Sequence, residues 1–387
     1  MKTNYRLLIV GNGYDGHVAS VIKNLRSVNQ EATIDLLTRK CGDMMSRDIT
    51  ESTNNIYEFV GNQTISFQAF RHLKNLINHR RYIKHCLAGR KYDIVVIHYL
   101  YGEYALYIDI LRKAAKVLLT CPWGSDVLRT SKFIHRIQKI VTDKSDYVLC
   151  QNSQFGKKVR QVYSIPDAKA VTFGFAGSKI VDYLIDNRPR TTTAEGKMAM
   201  GISPETYVIT CAYNSASAQN HDKILEAIYK AKEQLPSNLL ALLPFAYGGG
   251  TAEYKQRLES MAEEYGIKTM FVEEYLPEDK LFMMRMATDM FVHVQNTDAN
   301  NLTLKQYMYC DKKIINGSWL RYEDLNCYTP LPYFEVDSFE DLAGVIVKAY
   351  NAEEMTAPAD WKENFNKYRA SYGASRTNDF FCSCAEK

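Results

Sequence analysis

FVHVQNTDANNLTLKQYMYCDKKIINGSWL (residues 291–320) reads as strand, loop, helix and strand. Its opening run, FVHV, is short and apolar, which suits a strand buried on both faces of a parallel sheet. A polar loop covers 295–300, after which Leu302, Leu304, Tyr307, Met308 and Cys310 recur at helical spacing. A second apolar run, 313–315, ends at Asn316-Gly317. This is a βαβ unit, and in open parallel sheets ligands gather at the carboxyl ends of the strands. Two polar residues flank the loop and helix: Asp298 just before the helix and Gln306 about two turns inside it. Between them Asn300, Asn301 and Leu302 offer free backbone N–H groups and a partial positive charge to an anion.

At 387 residues the chain is long for one core, so two domains are expected. With 46% hydrophobic and 12% aromatic residues it has ordinary globular composition. It contains no run of roughly 18 apolar residues, the least that crosses a bilayer. The opening, MKTNYRLLIVGNGYDGH, is broken by glycine too early for a secretory leader and reads as a first strand. Nine cysteines, scattered singly, look like reduced core residues of a cytoplasmic protein. The CxC pair Cys382 and Cys384 leaves a metal or redox role as a lesser reading. The net charge of +4 is uneven. Residues 1–180 carry 27 Lys and Arg against 14 Asp and Glu, and the rest 21 against 30. An anionic surface or substrate is therefore expected for the first half.

The first strand, 6–10, runs into Gly11-Asn12-Gly13-Tyr14-Asp15-Gly16 and a helix from His17. GxGxxG between strand and helix is the dinucleotide fingerprint, so an NAD(P)-dependent oxidoreductase is one reading. Asp35, however, precedes Leu36-Leu37-Thr38 within its strand rather than ending it. The plainer reading is a tight turn beside any ligand. A basic amphipathic helix over 66–88 carries Phe67, Phe70, Leu73, Leu76 and Ile77, surrounded by Arg71, Lys74, His79, Arg80, Arg81 and Lys84. A solvated face would explain it, and the charge excess adds an anionic membrane surface as a partner. Strands at 92–98, 117–120, 147–150 and 170–173 follow. His98 and Asp126 each fall just after one of them. A buried histidine satisfied by a carbonyl and a helix N-cap are their structural alternatives.

Residues 187–205, with Pro, Gly and three Thr and no apolar period, read as a linker. It separates a first domain, 1–186, from a second, 206–350, and 351–387 forms a helical tail free to cross back. The second domain opens with a strand at 207–212, followed by Asn214-Ser215, Gln219, Asn220-His221 and a helix. Further strands at 239–243 and 269–272 lead to Pro244-Phe245-Ala246-Tyr247-Gly248 and to Tyr275-Leu276-Pro277.

In this order the segments resemble GT-B glycosyltransferases over residues 5–350, especially family four and the lipid II N-acetylfucosaminyltransferase-like enzymes. Asp298 and Gln306 keep the spacing of family four's "Glu, seven residues, Glu". WGSDV and SDYVLCQNS resemble its first-domain turns. Asn214-Ser215, Asn220-His221 and the Pro244–Gly248 turn are similar to the smaller family. Asn214 and Gln219 stand where family four has its two cations. The resemblance implies an α/β, GT-B fold: two Rossmann-like, doubly wound parallel-sheet domains facing across a cleft. It implies transfer of a hexosyl or N-acetylhexosaminyl group from a nucleotide sugar to a lipid-linked or polysaccharide acceptor in cell-surface glycan biosynthesis. No metal is implied, no cofactor beyond the nucleotide-sugar co-substrate, and no nucleic acid partner. The place implied is the cytoplasm, peripherally at the inner face of the plasma membrane. Asp298 would contact the transferred sugar and Gln306 the ribose. Gly11 and Gly13, Asn214, Ser215, Asn220, Tyr247 and Gly248, with the amides of Asn300, Asn301 and Leu302, would surround the diphosphate. Tyr275 would lie by the nucleobase, and His98 or Asp126 would orient or deprotonate the acceptor. The uncharged residues at 214, 219 and 306 also admit a non-catalytic nucleotide-sugar or glycan-binding protein.

Overall fold

The computed structural model describes residues 4–39, 45–61, 68–173, 178–353 and 355–387, with backbone alone for 68–72. Phe67, Phe70 and Arg71 of the basic helix therefore fall outside the described side chains. The chain divides into two compact units, Met1–Ser178 with Tyr368–Lys387, and Lys179–Lys367.

The first unit begins β1 (Arg6–Val10), α1 (Gly16–Val28), β2 (Thr33–Arg39), α2 (Arg47–Ser52), β3 (Asn55–Phe59) and α3 (Gln68–Cys86). It continues β4 (Tyr92–His98), α4 (Ile108–Ala114), β5 (Ala115–Cys121), α5 (Ser125–Leu128) and α6 (Lys132–Lys144). β6 (Tyr147–Cys150), α7 (Ser153–Tyr163) and β7 (Ala170–Thr172) follow. The second unit opens with α8 (Lys179–Asn187), α9 (Thr193–Ala199), β8 (Tyr207–Cys211), α10 (His221–Ala231), β9 (Leu239–Pro244) and α11 (Ala252–Glu264). Then come β10 (Lys268–Val272), α12 (Glu278–Ala287), β11 (Met290–His293), α13 (Leu302–Tyr309) and β12 (Lys313–Gly317). It closes with β13 (Phe334–Val336), α14 (Leu342–Asn351) and α15 (Ala359–Phe365), and the chain ends in α16 (Ala370–Glu386).

Both sheets are parallel throughout. The order is β3-β2-β1-β4-β5-β6-β7 in the first unit and β10-β9-β8-β11-β12-β13 in the second. Each reverses direction between its first and fourth strands, β1/β4 and β8/β11, which is the doubly wound arrangement with its binding crevice at that point. Leu7, Leu8, Ile9 and Val10 are all buried, as are Phe291, Val292 and His293. Helices on both faces make such strands apolar without alternation.

Two boundaries differ from the sequence reading. The expected linker at 187–205 is folded: a 3₁₀ turn, Arg188–Arg190, leads to α9, whose capping box joins Thr192 and Glu195. α9 packs on α12 so closely that a β-carbon on Gly196 would lie 2.6 Å from the Ala287 nitrogen. α8, placed by the sequence in the first domain, belongs to the second unit, where Tyr183 packs on Phe282. The tail is divided as well. Trp361 and Phe365 of α15 are buried in the second unit, with Phe365 4.9 Å from Tyr309. α16 completes the first unit. Its Asn378 accepts hydrogen bonds from Tyr5 at 3.1 Å and from Asn29 at 2.9 Å. Cys382 and Cys384 are buried in that core beside Phe381 and Ala385, packing as small apolar groups.

Candidate functional site

In the second unit the loops leaving β8 and β11 meet at the switch point and are stitched together. Asn220 holds a left-handed backbone, φ 60°, and its amide donates to the Val294 carbonyl at 2.8 Å and to Asn296 at 2.9 Å. Gln219 donates to Gln295 at 3.0 Å, and Tyr213 to the same oxygen at 3.3 Å. Trp319 closes the far side by donating to the Gln295 carbonyl at 2.8 Å.

Asp298 is the centre of this loop. Its Oδ1 accepts from the Ala299 amide at 2.8 Å and the Asn300 amide at 3.3 Å. Its Oδ2 accepts from Asn301 at 2.8 Å and from the Tyr322 hydroxyl at 3.1 Å, with His293 Nε2 at 3.4 Å. Burial by itself would push this carboxyl up. The hydrogen bonds from His293, Asn301 and Tyr322 outweigh it and hold the group below the usual carboxylate range. With Nε2 protonated, His293 donates to Tyr322 at 3.0 Å while the tyrosine hydroxyl donates onward to Asp298. Asn301 also caps α13 by accepting from the Leu304 amide at 2.7 Å. The first-turn amides of Leu302 and Thr303 have no acceptor within the helix.

Two buried cations that the sequence reading does not single out support this helix, one beside it and one within it. Arg285, buried in α12, donates Nε to Gln306 at 3.0 Å and Nη1 to the Tyr307 hydroxyl at 3.0 Å. Its guanidinium lies over the Tyr307 ring, 4.7 Å from the centroid. Lys305, also buried, donates to Asn300 at 2.7 Å and pairs with Asp324 at 2.8 Å. The Asn300 amide and side chain are thus turned to Asp298 and Lys305, and the Gln306 oxygen is turned to Arg285. These groups are preassembled among themselves, which the sequence reading had assigned directly to a ligand.

The loops after β8 and β9 also interlock. Ser215 donates to the Tyr247 carbonyl at 2.7 Å and accepts from the Gly250 amide at 3.0 Å. Asn214 accepts from the Ala216 amide at 3.0 Å. Gly248 has φ +115°, and a β-carbon there would lie 2.7 Å from both the Ala216 nitrogen and the Asn214 side-chain oxygen. Gly248→Ala is expected to cost about 1–3 kcal/mol through backbone strain and this clash. A chemical-denaturation curve coincident with wild type would show that the turn relaxes freely.

Tyr247 and Tyr275 stack at 5.8 Å on the outer edge of these loops, and Tyr275 is 77% exposed. Tyr247 is itself 45% exposed, with its hydroxyl beside Asn214. Burial raises that hydroxyl's pKa; Arg285 and a hydrogen bond from Asn214 lower it, and Tyr275 and Asp298 raise it. Asn214, Tyr275, Asp298 and Arg285 thus all act on the Tyr247 hydroxyl.

In the first unit a β-carbon on Gly11 would lie 3.1 Å from Val18 and 3.3 Å from the His98 β-carbon, so the glycine permits the turn to approach β4. The Gly13 amide donates to Thr38 at 2.9 Å. His98 is buried beside Trp123, which also stacks on His17 at 4.4 Å. Burial, with His17 adding to it, pushes the His98 pKa down to about 3, so its imidazole is neutral at neutral pH. It is thereby a hydrogen-bonding group rather than a base matched to neutral pH. Asp126 accepts from the amides of Leu100 at 2.7 Å, Trp123 at 3.0 Å and Gly124 at 2.8 Å. Burial raises its pKa against those three bonds. A carboxylate so occupied pins the turns after β4 and β5, and its lone pairs are spent on the backbone. Asp35 is likewise buried mid-strand, accepting from Asn55 at 2.9 Å, Tyr57 at 3.3 Å and Tyr92 at 2.8 Å. The dinucleotide reading thereby lacks its ribose-binding acid.

Two doubly wound parallel units of this topology give the chain the GT-B fold, and its structural neighbours are GT-B glycosyltransferases. A glycosyltransferase from Rickettsia africae ESF-5 superposes with TM-score 0.73 at 14% identity, covering 99% of each chain. Anabaena Alr3699/HepE, solved in complex with UDP and glucose, gives 0.68 at 12% identity over 98% of this chain and 100% of its own. Sucrose-phosphate synthase from Thermosynechococcus elongatus gives 0.66 at 13% identity, over 99% and 96%. At such identity the likeness is one of fold. No family model and no curated protein matches the sequence.

Proposed function

We propose that the protein is a nucleotide-sugar-dependent glycosyltransferase whose donor binds at the carboxyl edge of the second sheet. The observation that carries this is Asp298: a carboxylate held ionised by three side chains, at the mouth of α13, with the Arg285 guanidinium behind the same helix. On donor binding Asp298 gives up part of its present set of donors to accept from the hydroxyls of the transferred sugar, and the Gln306 amide donates to the ribose. The transition state is oxocarbenium-like, and negative charge builds on the departing diphosphate. The Leu302 and Thr303 amides and Arg285 stabilise that charge. Tyr247 and Tyr275 offer a ring face to the base. Fold neighbours solved with UDP and glucose support a nucleotide-sugar donor.

For the acceptor we propose a lipid-linked or polysaccharide hydroxyl, held by the first unit at neutral His98. A cytoplasmic site, peripheral to the inner face of the plasma membrane, accords with the basic first half. The sugar is of hexosyl or N-acetylhexosaminyl type, and no metal step enters the mechanism.

A thermal-shift screen with UDP, GDP, TDP and CMP tests the donor site. One of these nucleotides should raise the melting temperature, since ligand at 100 times its Kd adds about 2.7 kcal/mol of stability. A response to NADH, with none to any nucleoside phosphate, would overturn the reading.

A further inference from the structure

The face of the first unit built by α3, the 3₁₀ turn Gly102–Leu106 and α6 is apolar at its centre and basic at its rim. α3 turns His79, Ile83 and Leu87 into the core and leaves Leu73 (56% exposed) and Ile77 outward. α6 does the same with Phe133 (68% exposed) and Ile140, and Leu106 of the intervening turn is exposed too. These elements form one layer. Arg80 of α3 donates to both oxygens of Asp109 on α4, at 2.7 and 2.9 Å, and α4 and the turn pack on α6.

Lys74, Arg81, Lys84, Lys132, Arg136 and Lys144 surround the apolar residues, all exposed and none with a carboxylate partner among the described residues. The acids of this face are spoken for: Asp109 by Arg80, Asp143 by Lys139 and Glu103 by Arg39. Soluble proteins seldom cluster large exposed apolar side chains unless something covers them.

We propose that this face docks on an anionic lipid bilayer, with Leu73, Ile77, Phe133 and Ile140 entering the headgroup boundary and the six cations lying among acidic headgroups. Charge complementarity selects this occupant. A second copy of the chain would bring the same unpaired cations against themselves. Among the described residues no helix is long and apolar enough to cross a membrane, so the attachment is to the surface. The inference stands independently of the sugar-transfer reading and gives a lipid-linked acceptor a reason to be within reach.

The test is co-sedimentation of the full chain with phosphatidylcholine vesicles, alone or with about a third phosphatidylglycerol. Binding is expected to the anionic vesicles and to be weak on the neutral ones. Lys84→Gln and Arg136→Gln should each lower partitioning about fivefold. Phe133→Ser should lower it about tenfold. All three variants should keep the wild-type melting temperature and the wild-type nucleotide-induced shift. Equal binding to neutral vesicles, or none to either, overturns the proposal. So does loss with the charge variants but not with Phe133→Ser, which marks simple polyanion attraction. A dimer in vesicle-free light scattering that Phe133→Ser dissolves would assign the face to self-association and overturn it too.

Discussion

Asp298→Ala should abolish sugar transfer, lowering turnover by on the order of a hundredfold to a thousandfold, as loss of a preorganised polar contact to the transition state does. The side chain does two things, and the experiment must separate them. It contacts the donor in the proposed mechanism, and it also organises its own loop through Ala299, Asn300, Asn301 and Tyr322. Alanine removes both; Asp298→Asn keeps an acceptor for the two amides but presents an NH₂ group to Asn301 and Tyr322. If the contacts to the Ala299 and Asn300 amides alone mattered, Asp298→Asn would recover most activity. The proposed role requires it to stay inactive with nucleotide affinity largely kept. Wild-type turnover by Asp298→Ala would exclude the role altogether.

The same carboxyl gives a pH signature. Its folded pKa lies below its ordinary value, so its contribution to stability is fully present above the unfolded carboxylate pKa of about 4. That contribution is lost as pH falls through the folded value. The stability gap between wild type and Asp298→Ala should therefore be constant near neutrality and close below about pH 4. A gap that widened on acidification would mean the native loop prefers the protonated acid.

The fold was legible because parallel strands buried on both faces leave continuous apolar runs. β1, β4 and β6 occupy the expected residues, and the other expected strands differ at their ends. β3 escaped notice because it is an edge strand whose residues are half-buried or exposed, without an apolar period. α9 was taken for a linker although Thr192 and Glu195 spell a capping box. Gly196, one of the residues that make this stretch look like a linker, is what lets α9 approach α12.

At the site the sequence located the right loops but not what their side chains touch. Asn214, Ser215 and Asn220 look like ligand-facing polar residues, yet much of their hydrogen bonding goes to their own loop or to neighbouring ones. Only the register of β8 against β11 and β9 determines that. Asp126 read equally as cap or catalyst until its three amide donors were placed. Arg285 was overlooked because a lone cation in a helix is ordinarily solvated. Its setting, LFMMRMA, held the one available signal: a single charge inside an apolar run should be buried and paired.

Arg285 carries the second large expectation. Arg285→Gln should weaken nucleoside diphosphate binding about tenfold to a hundredfold, the usual worth of a hydrogen bond to a charged group. The uncharged nucleoside should bind the variant as well as wild type. This differential matters because Arg285 also holds Gln306 and Tyr307, and its removal leaves buried partners unsatisfied. A purely packing role would lower diphosphate and nucleoside affinity together, in step with the melting temperature. A charge role lowers only the first and flattens its dependence on salt. Arg285→Lys sharpens the comparison: the ammonium keeps the charge but cannot donate to Gln306 and Tyr307 in the planar geometry of a guanidinium. It should recover part of the diphosphate affinity but not the stability. Equal diphosphate affinity in wild type and Arg285→Gln would leave the helix amides and Lys305 as the sources of positive potential at that end of α13.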